Sequence, residues 1–153
     1  MTEPERILGA VEGGVWWDRG SVATGARKWV EEHPECRRIG MSQWHLLLTV
    51  IRGSGTFSEM GEKLAEHLGH QAEKDSYQQQ WGQPGLAKAL GEAFVKAGEQ
   101  RDNRETLLKG FADRLSKEEW AAVESRRRMG RARQFLEFVM KAAVVPQKGK
   151  EAQ

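Results

Sequence analysis

Arginine is the residue whose type and spacing point most directly to chemistry in this sequence. Arg126, Arg127, Arg128, Arg131 and Arg133 lie close together, and with Lys141, Lys148 and Lys150 they face one acid, Glu137, before Glu151. Guanidinium groups present paired N–H donors that match phosphate oxygens. Clustered like charge of this kind is the electrostatic footprint of polyanion binding. The overall charge of +2 hides the asymmetry. Residues 1–76 carry nine Lys/Arg against twelve Asp/Glu, a net −3, whereas residues 77–153 carry fifteen against ten, a net +5. A second basic group, Arg27, Lys28, Arg37 and Arg38, is partly offset by Glu31, Glu32 and Glu35. The plainer reading of such runs is a solvated helix face with a basic tail.

Other reactive types are sparse. His33 and Cys36 form one H-x-x-C pair, and His67 with His70 forms an H-x-x-H pair, together enough donors for a zinc ion. Their separation matches no recognised zinc-finger spacing, so the expectation is surface histidines, a partly buried thiol and no structural metal. A nucleophilic Cys36 would need an activating base and an electropositive, accessible setting. Gly53-Ser54-Gly55 does not follow a strand and reads as a linker between helices, without the features of a phosphate loop. Glu31-Glu32 and Glu118-Glu119 sit at expected helix termini, where the helix dipole accounts for them. The residues thus indicate neither an enzyme nor a cofactor site.

The elements that must position these residues read as helices throughout. Strict alternation is absent, and the apolar run Trp44 to Ile51 is leucine-rich and preceded by Ser42, a candidate N-cap. Thr56 with Glu59 and Ser116 with Glu119 have capping-box spacing. Asn103 is a third candidate cap, and Gly53, Gly69, Gly98 and Gly110 are candidate stops. Helices are predicted near 21–32, 42–52, 57–68, 84–97, 104–115 and 117–144. Pro146 is expected to end the last one, leaving residues 146–153 as a disordered basic tail. Gly13-Gly14 and Gly20 interrupt an earlier segment, and 71–85, with Gln78-Gln79-Gln80 and Pro84, reads as a loop. The fold class is all-α, a bundle of about five or six helices with a long C-terminal one.

In that last helix, Met129, Ala132, Leu136, Val139 and Ala143 recur at three- and four-residue steps and predict one buried face. Phe135, Phe138, Ala142 and Val145 widen it. Arg127 and Arg131, four apart, are expected on the opposite, polar side, with Arg126 and Arg133 on a neighbouring ridge. Trp44 and Trp120 fall on apolar arcs and are expected in the core. Trp16, Trp17, Trp29 and Trp81 suit either an aromatic patch that stacks bases or a satellite cluster, in which residues 1–40 pack on a 41–145 bundle. The longest uncharged run, Ile39 to Ile51, is thirteen residues, short of the ~20 that a spanning helix needs. No apolar leader segment opens the sequence, and the single Cys36 suits a reducing compartment, so a cytoplasmic location is expected.

Three segments, in order, resemble a known family. Met41-Ser42-Gln43-Trp44-His45-Leu46-Leu47-Leu48 resembles the Thr-Ser-Gln-Ile-Arg-x-Leu-Leu helix start of the small subunit of type III-A (Csm) CRISPR effector complexes. Phe94-Val95-Lys96-Ala97-Gly98 is similar to that family's central helix end, which closes in Ala-Gly-Arg. Phe135 through Met140-Lys141-Ala142-Ala143-Val144 resembles its last helix, with Met-Glu-Ala-x-Val after two aromatics. The resemblance spans about residues 41–145. His45 stands where the family has Arg, Glu99 replaces the Arg after Ala-Gly, and Val145-Pro146 replaces an Ala-Tyr ending. A small subunit of a related CRISPR subtype fits equally.

The resemblance implies a non-catalytic helical bundle, several copies of which stack beside the guide–target duplex, alongside other effector subunits. Guide RNA and target nucleic acid would be held by their backbones, without base readout. The candidate contacts are Arg127, Arg131, Arg126, Arg128, Arg133 and Arg52, with His45 carried over from its match to the family's Arg. The alternative is a helical adaptor or regulatory subunit with no nucleic-acid role. A helix-turn-helix built from 42–52 and 57–68 is disfavoured, because Glu59, Glu62 and Glu66 make its second helix acidic.

Overall fold

Three helix starts follow the capping chemistry of the sequence. The computed structural model describes residues 5–6, 17–73, 85–100 and 114–151, those from 145 onward by backbone alone. The regular elements among them are α1 (Arg19–Glu32), a 3-10 turn (Pro34–Arg38), α2 (Met41–Ile51), α3 (Phe57–Glu73), α4 (Leu86–Glu99) and α5 (Lys117–Glu151). The fold is all-α, with a long C-terminal helix. Asp18 caps α1 by accepting from the Gly20 N–H at 3.0 Å. Ser116 and Glu119 exchange bonds reciprocally at the start of α5, at 3.1 and 2.9 Å. At α3 the box is offset by one residue. Thr56 Oγ1 accepts from the Glu59 N–H, while the Glu59 carboxylate accepts from Gly55 rather than Thr56. The hydrogen bond from Lys63, then the Gly55 N–H, lowers the Glu59 pKa.

Four expectations about boundaries are corrected. The N-cap of α2 is Gly40, not Ser42, which lies inside the helix; Gly40 takes the extended backbone of a cap without contributing a side-chain bond. Gly69 does not stop α3, which continues to Glu73; glycine weakens a helix interior by about 1 kcal/mol and does not forbid it. Gly98 likewise lies within α4, which ends at Glu99. Pro146 does not end the last helix: the backbone of α5 runs through it to Glu151. Proline removes one helical hydrogen bond, but its fixed φ near −65° is itself helical, so the chain need not turn away. Residues 104–113 of the expected 104–115 helix, Asn103, Gly110, Trp16, Trp81, Gly13-Gly14 and residues 74–84 of the expected 71–85 loop fall outside the described residues, while 71–73 belong to α3.

One core joins all five helices. It includes Val22 and Ala26 of α1, Trp44 and Leu47 of α2, Leu64 and Leu68 of α3, Leu90 and Phe94 of α4, and the whole predicted stripe of α5. Trp44 is fully buried and Trp120 packs partly buried against the cluster. Trp17 and Trp29 are buried too, so these two indoles belong to packing between the N-terminal elements and α5. The most extensive helix contacts are α1 with α5 and α4 with α5. Trp17 donates from Nε1 to Gln134 Oε1 at 2.7 Å, and the outer edge of its six-membered ring meets α5 at Gly130. A Cβ at Gly130 would come within 2.6 Å of the Trp17 ring. Glycine there is what lets the indole reach the helix backbone.

Candidate nucleic-acid interface

The packing of α5 against its neighbours decides which arginines remain outside. Neighbours α1 and α4 enclose it beyond the edge of the apolar stripe, so the buried arc is wider than hydrophobicity alone implies. Arg127 is 0% exposed and Arg131 3% exposed, which overturns their expected place on a polar face. Arg127 donates from Nη1 to the Gln100 carbonyl at 3.1 Å and lies 3.5 Å through Nε from the Glu124 carboxylate. It therefore ties α5 to the residue that ends α4. Arg131 lines the hollow between α1 and α4, beside Trp29 and Phe135. Both arginines are held by the fold.

Arg128 is half-exposed but points elsewhere. Its Nη2 lies 3.9 Å from Glu124, in a hollow shared with Glu62 and Glu99. Those carboxylates make that hollow unsuited to phosphate.

Arg126 and Arg133 are exposed, seven residues apart, and so occupy nearly the same ridge of α5. Facing them is the turn after α2. Arg52 leaves the helix with extended backbone, and Gly53 follows at φ +82°, a conformation that favours glycine. Buried Ser54 donates from Oγ to the Ile51 carbonyl at 3.0 Å and pins the turn. Between turn and helix lies a cleft of about 680 Å³, lined by Arg52 and Gly53 to Gly55 on one wall and by Arg126, Gly130 and Arg133 on the other. Met60 and Met129 contribute apolar surface to it. The one carboxylate there among the described residues, Glu137, lies 3.8 Å from Arg133, and both groups are largely solvent-exposed. An exposed pair of this kind is worth at most about 1 kcal/mol, so it leaves Arg133 able to engage an anion.

Three sequence-expected residues thus converge, and they do so from two distant segments. His45 is exposed two turns before Arg52 along the same ridge of α2, outside the cleft. The contribution of Gly53-Ser54-Gly55 to the cleft wall was not anticipated. Its only sequence signal is that a glycine pair follows directly on Arg52.

The histidine and cysteine residues settle into structural roles or remain apart. His33 stacks on Trp29 with ring centroids 4.4 Å apart and shares a 2.9 Å hydrogen bond between Nδ1 and the Trp29 carbonyl. Cys36 is fully buried, and desolvation pushes its thiol up to about 12. At that value almost no thiolate is present near neutral pH, the opposite of an activated nucleophile. His70 lies 3.9 Å from Glu66 on the exposed side of α3. Among the described residues, no group of three or more His, Cys, Asp or Glu is arranged to hold a metal ion. None of the described helices is long and apolar enough to cross a membrane. Comparison with known proteins finds no matching family model, no similar curated protein and no similar solved structure.

Proposed function

We propose that this protein is a non-catalytic helical subunit that binds the phosphate backbone of RNA in the cleft between the α2–α3 turn and α5. The observation that carries the reading is the convergence of Arg52, Arg126 and Arg133 on one open cleft. Three guanidinium groups, with Glu137 the one carboxylate among the described lining residues, favour a ligand with several negative charges. Contacts to phosphate supply affinity without reading sequence. With the ordered segments that resemble type III-A small subunits, the fuller proposal is a small subunit of a cytoplasmic, RNA-guided CRISPR effector complex. Its partners would be guide and target strands, other effector subunits and further copies of itself.

The Arg52→Gln, Arg126→Gln, Arg133→Gln triple variant should lose binding to a single-stranded RNA by about 100-fold at moderate salt. The slope of log affinity against log salt should flatten by about two units, since each single-strand phosphate contact contributes ~0.7. Exposed substitutions of this type move stability by about 0.5 kcal/mol or less, so thermal melts should barely change. Unaltered affinity and slope in a folded triple variant would overturn the reading.

The adaptor alternative has its own supporting observation. A groove of about 680 Å³ between α3 and α4 is floored by Gly61, Ala65, Leu68, Gly91 and Val95 and is mostly apolar. On that reading the triple variant keeps whatever RNA binding the protein has, and assembly with a protein partner depends on this groove instead.

A further inference from the structure

The cationic ridge of α5 does not end at the cleft. Arg133, Glu137 and Lys141 follow one another at four-residue steps, which places them in one row along the helix. Lys141 lies about 12 Å beyond Arg133, at 1.5 Å of rise per residue. There it meets a second hollow, of about 380 Å³, formed where α1 and the 3-10 turn pack on α5. Ala23, Val30 and Phe138 give this hollow an apolar lining, and Arg27, Arg37 and Lys141 supply cations. Glu31 is the one carboxylate among its described lining residues. The Lys141 ammonium sits 5.6 Å from the centroid of the Phe138 ring, which keeps the charge at the hollow. Arg37 is half-buried in the same wall.

An apolar concavity with a few convergent charged groups, within the ~300–1,000 Å³ range of small-ligand sites, suits a ligand that has both an apolar body and an anionic group. A nucleotide is such a ligand. We infer that this hollow is a second subsite on the same RNA strand. It receives one unstacked nucleotide, base toward the apolar lining and phosphate toward Arg27, Arg37 and Lys141, while the preceding backbone lies in the Arg52–Arg126–Arg133 cleft. The inference rests on the RNA-binding reading of that cleft. Glu137, engaged with Arg133, marks the step between the two subsites.

The test uses the full chain and two fluorescent oligouridylates, one of about four nucleotides and one of about twelve, within the range of strand lengths that single-strand-binding domains cover. Arg27 and Lys141 are both exposed, so the Arg27→Gln, Lys141→Gln variant should melt like the parent. It should bind the longer oligomer about tenfold more weakly, with a salt slope flatter by about one unit, and the shorter one unchanged. A photoreactive uridine in the longer oligomer should cross-link to Phe138 in the parent protein. Unchanged binding of the longer oligomer, or equal weakening of both, overturns the second subsite. An Arg126→Gln, Arg133→Gln control in the same assay separates the readings. If the control loses binding while the Arg27/Lys141 variant does not, the hollow is excluded and the cleft stands. If neither variant changes binding, both fall.

Discussion

Replacing Arg127 with Ala should destabilise the protein by about 3–5 kcal/mol, the range for breaking a buried ion pair by removing one partner. The residue looks like any other member of an exposed basic run, and a surface change there would move stability by about 0.5 kcal/mol or less. Its burial reverses the expectation. The guanidinium is fully enclosed, donates to the Gln100 carbonyl and lies beside Glu124, itself only 8% exposed. Truncation would leave a buried carboxylate facing a cavity and a helix-end carbonyl without its donor. Arg127→Lys should recover only part of the loss, because an ammonium cannot serve carbonyl and carboxylate with the same fixed fork. Urea denaturation of both variants measures this, and an Arg127→Ala protein as stable as the parent would remove Arg127 from the core. The same residue bears on RNA experiments. Reduced RNA binding by an unfolded Arg127 variant would carry no information about phosphate contact, which is why the binding tests use Arg126 and Arg133.

Gly98→Val should destabilise by about 3 kcal/mol, the upper end of ordinary overpacking. Gly98 is buried in the last turn of α4, where α3, α4 and α5 meet. A Cβ there would stand 2.5 Å from two carbons of the Phe57 ring and 2.9 Å from the Arg128 carbonyl oxygen. The ring could shift at some cost, but the carbonyl belongs to the backbone of α5 and can move only with the helix. Exchanging glycine for alanine in a helix gains about 1 kcal/mol in propensity, and exchanging it for valine gains less; the collision outweighs either. Phe57→Leu combined with Gly98→Ala should recover part of the deficit and not all of it, because the carbonyl contact remains. A stabilised Gly98→Ala single variant, read by thermal melting, would rule out so close an approach of α4 to α5.

The contrast between these residues shows what the sequence could convey. The Ser116–Glu119 box and the Met129–Ala143 stripe were legible because capping and helical periodicity are local, set by spacings of three and four residues. Arg127 and Arg131 were misplaced because their burial depends on α1 and α4 closing over the flank of α5, contacts made from residues far along the chain. Gly40 replaced Ser42 as a cap because an extended backbone suffices there without a side-chain acceptor. In the candidate site, Arg52, Arg126 and Arg133 were legible by residue type, but their convergence was not. It requires the turn at Gly53, pinned by the Ser54–Ile51 bond, to lie against one ridge of α5. Type is written locally, while proximity is a product of the whole fold.

Cys36 gives the protein a built-in clock. It is the only cysteine in the chain, it sits in the 3-10 turn that packs against α5, and both its burial and its raised pKa suppress alkylation in the closed state. Labelling by iodoacetamide should therefore report each time this N-terminal segment lifts from the long helix, with the rate set by the free energy of that opening. If the segment detaches on its own, labelling will run ahead of global unfolding and will respond weakly to urea. If it opens only with the whole core, the two rates will merge. One native sulfur thus reads, without engineering, whether the N-terminal elements and the bundle unfold as a single cooperative unit.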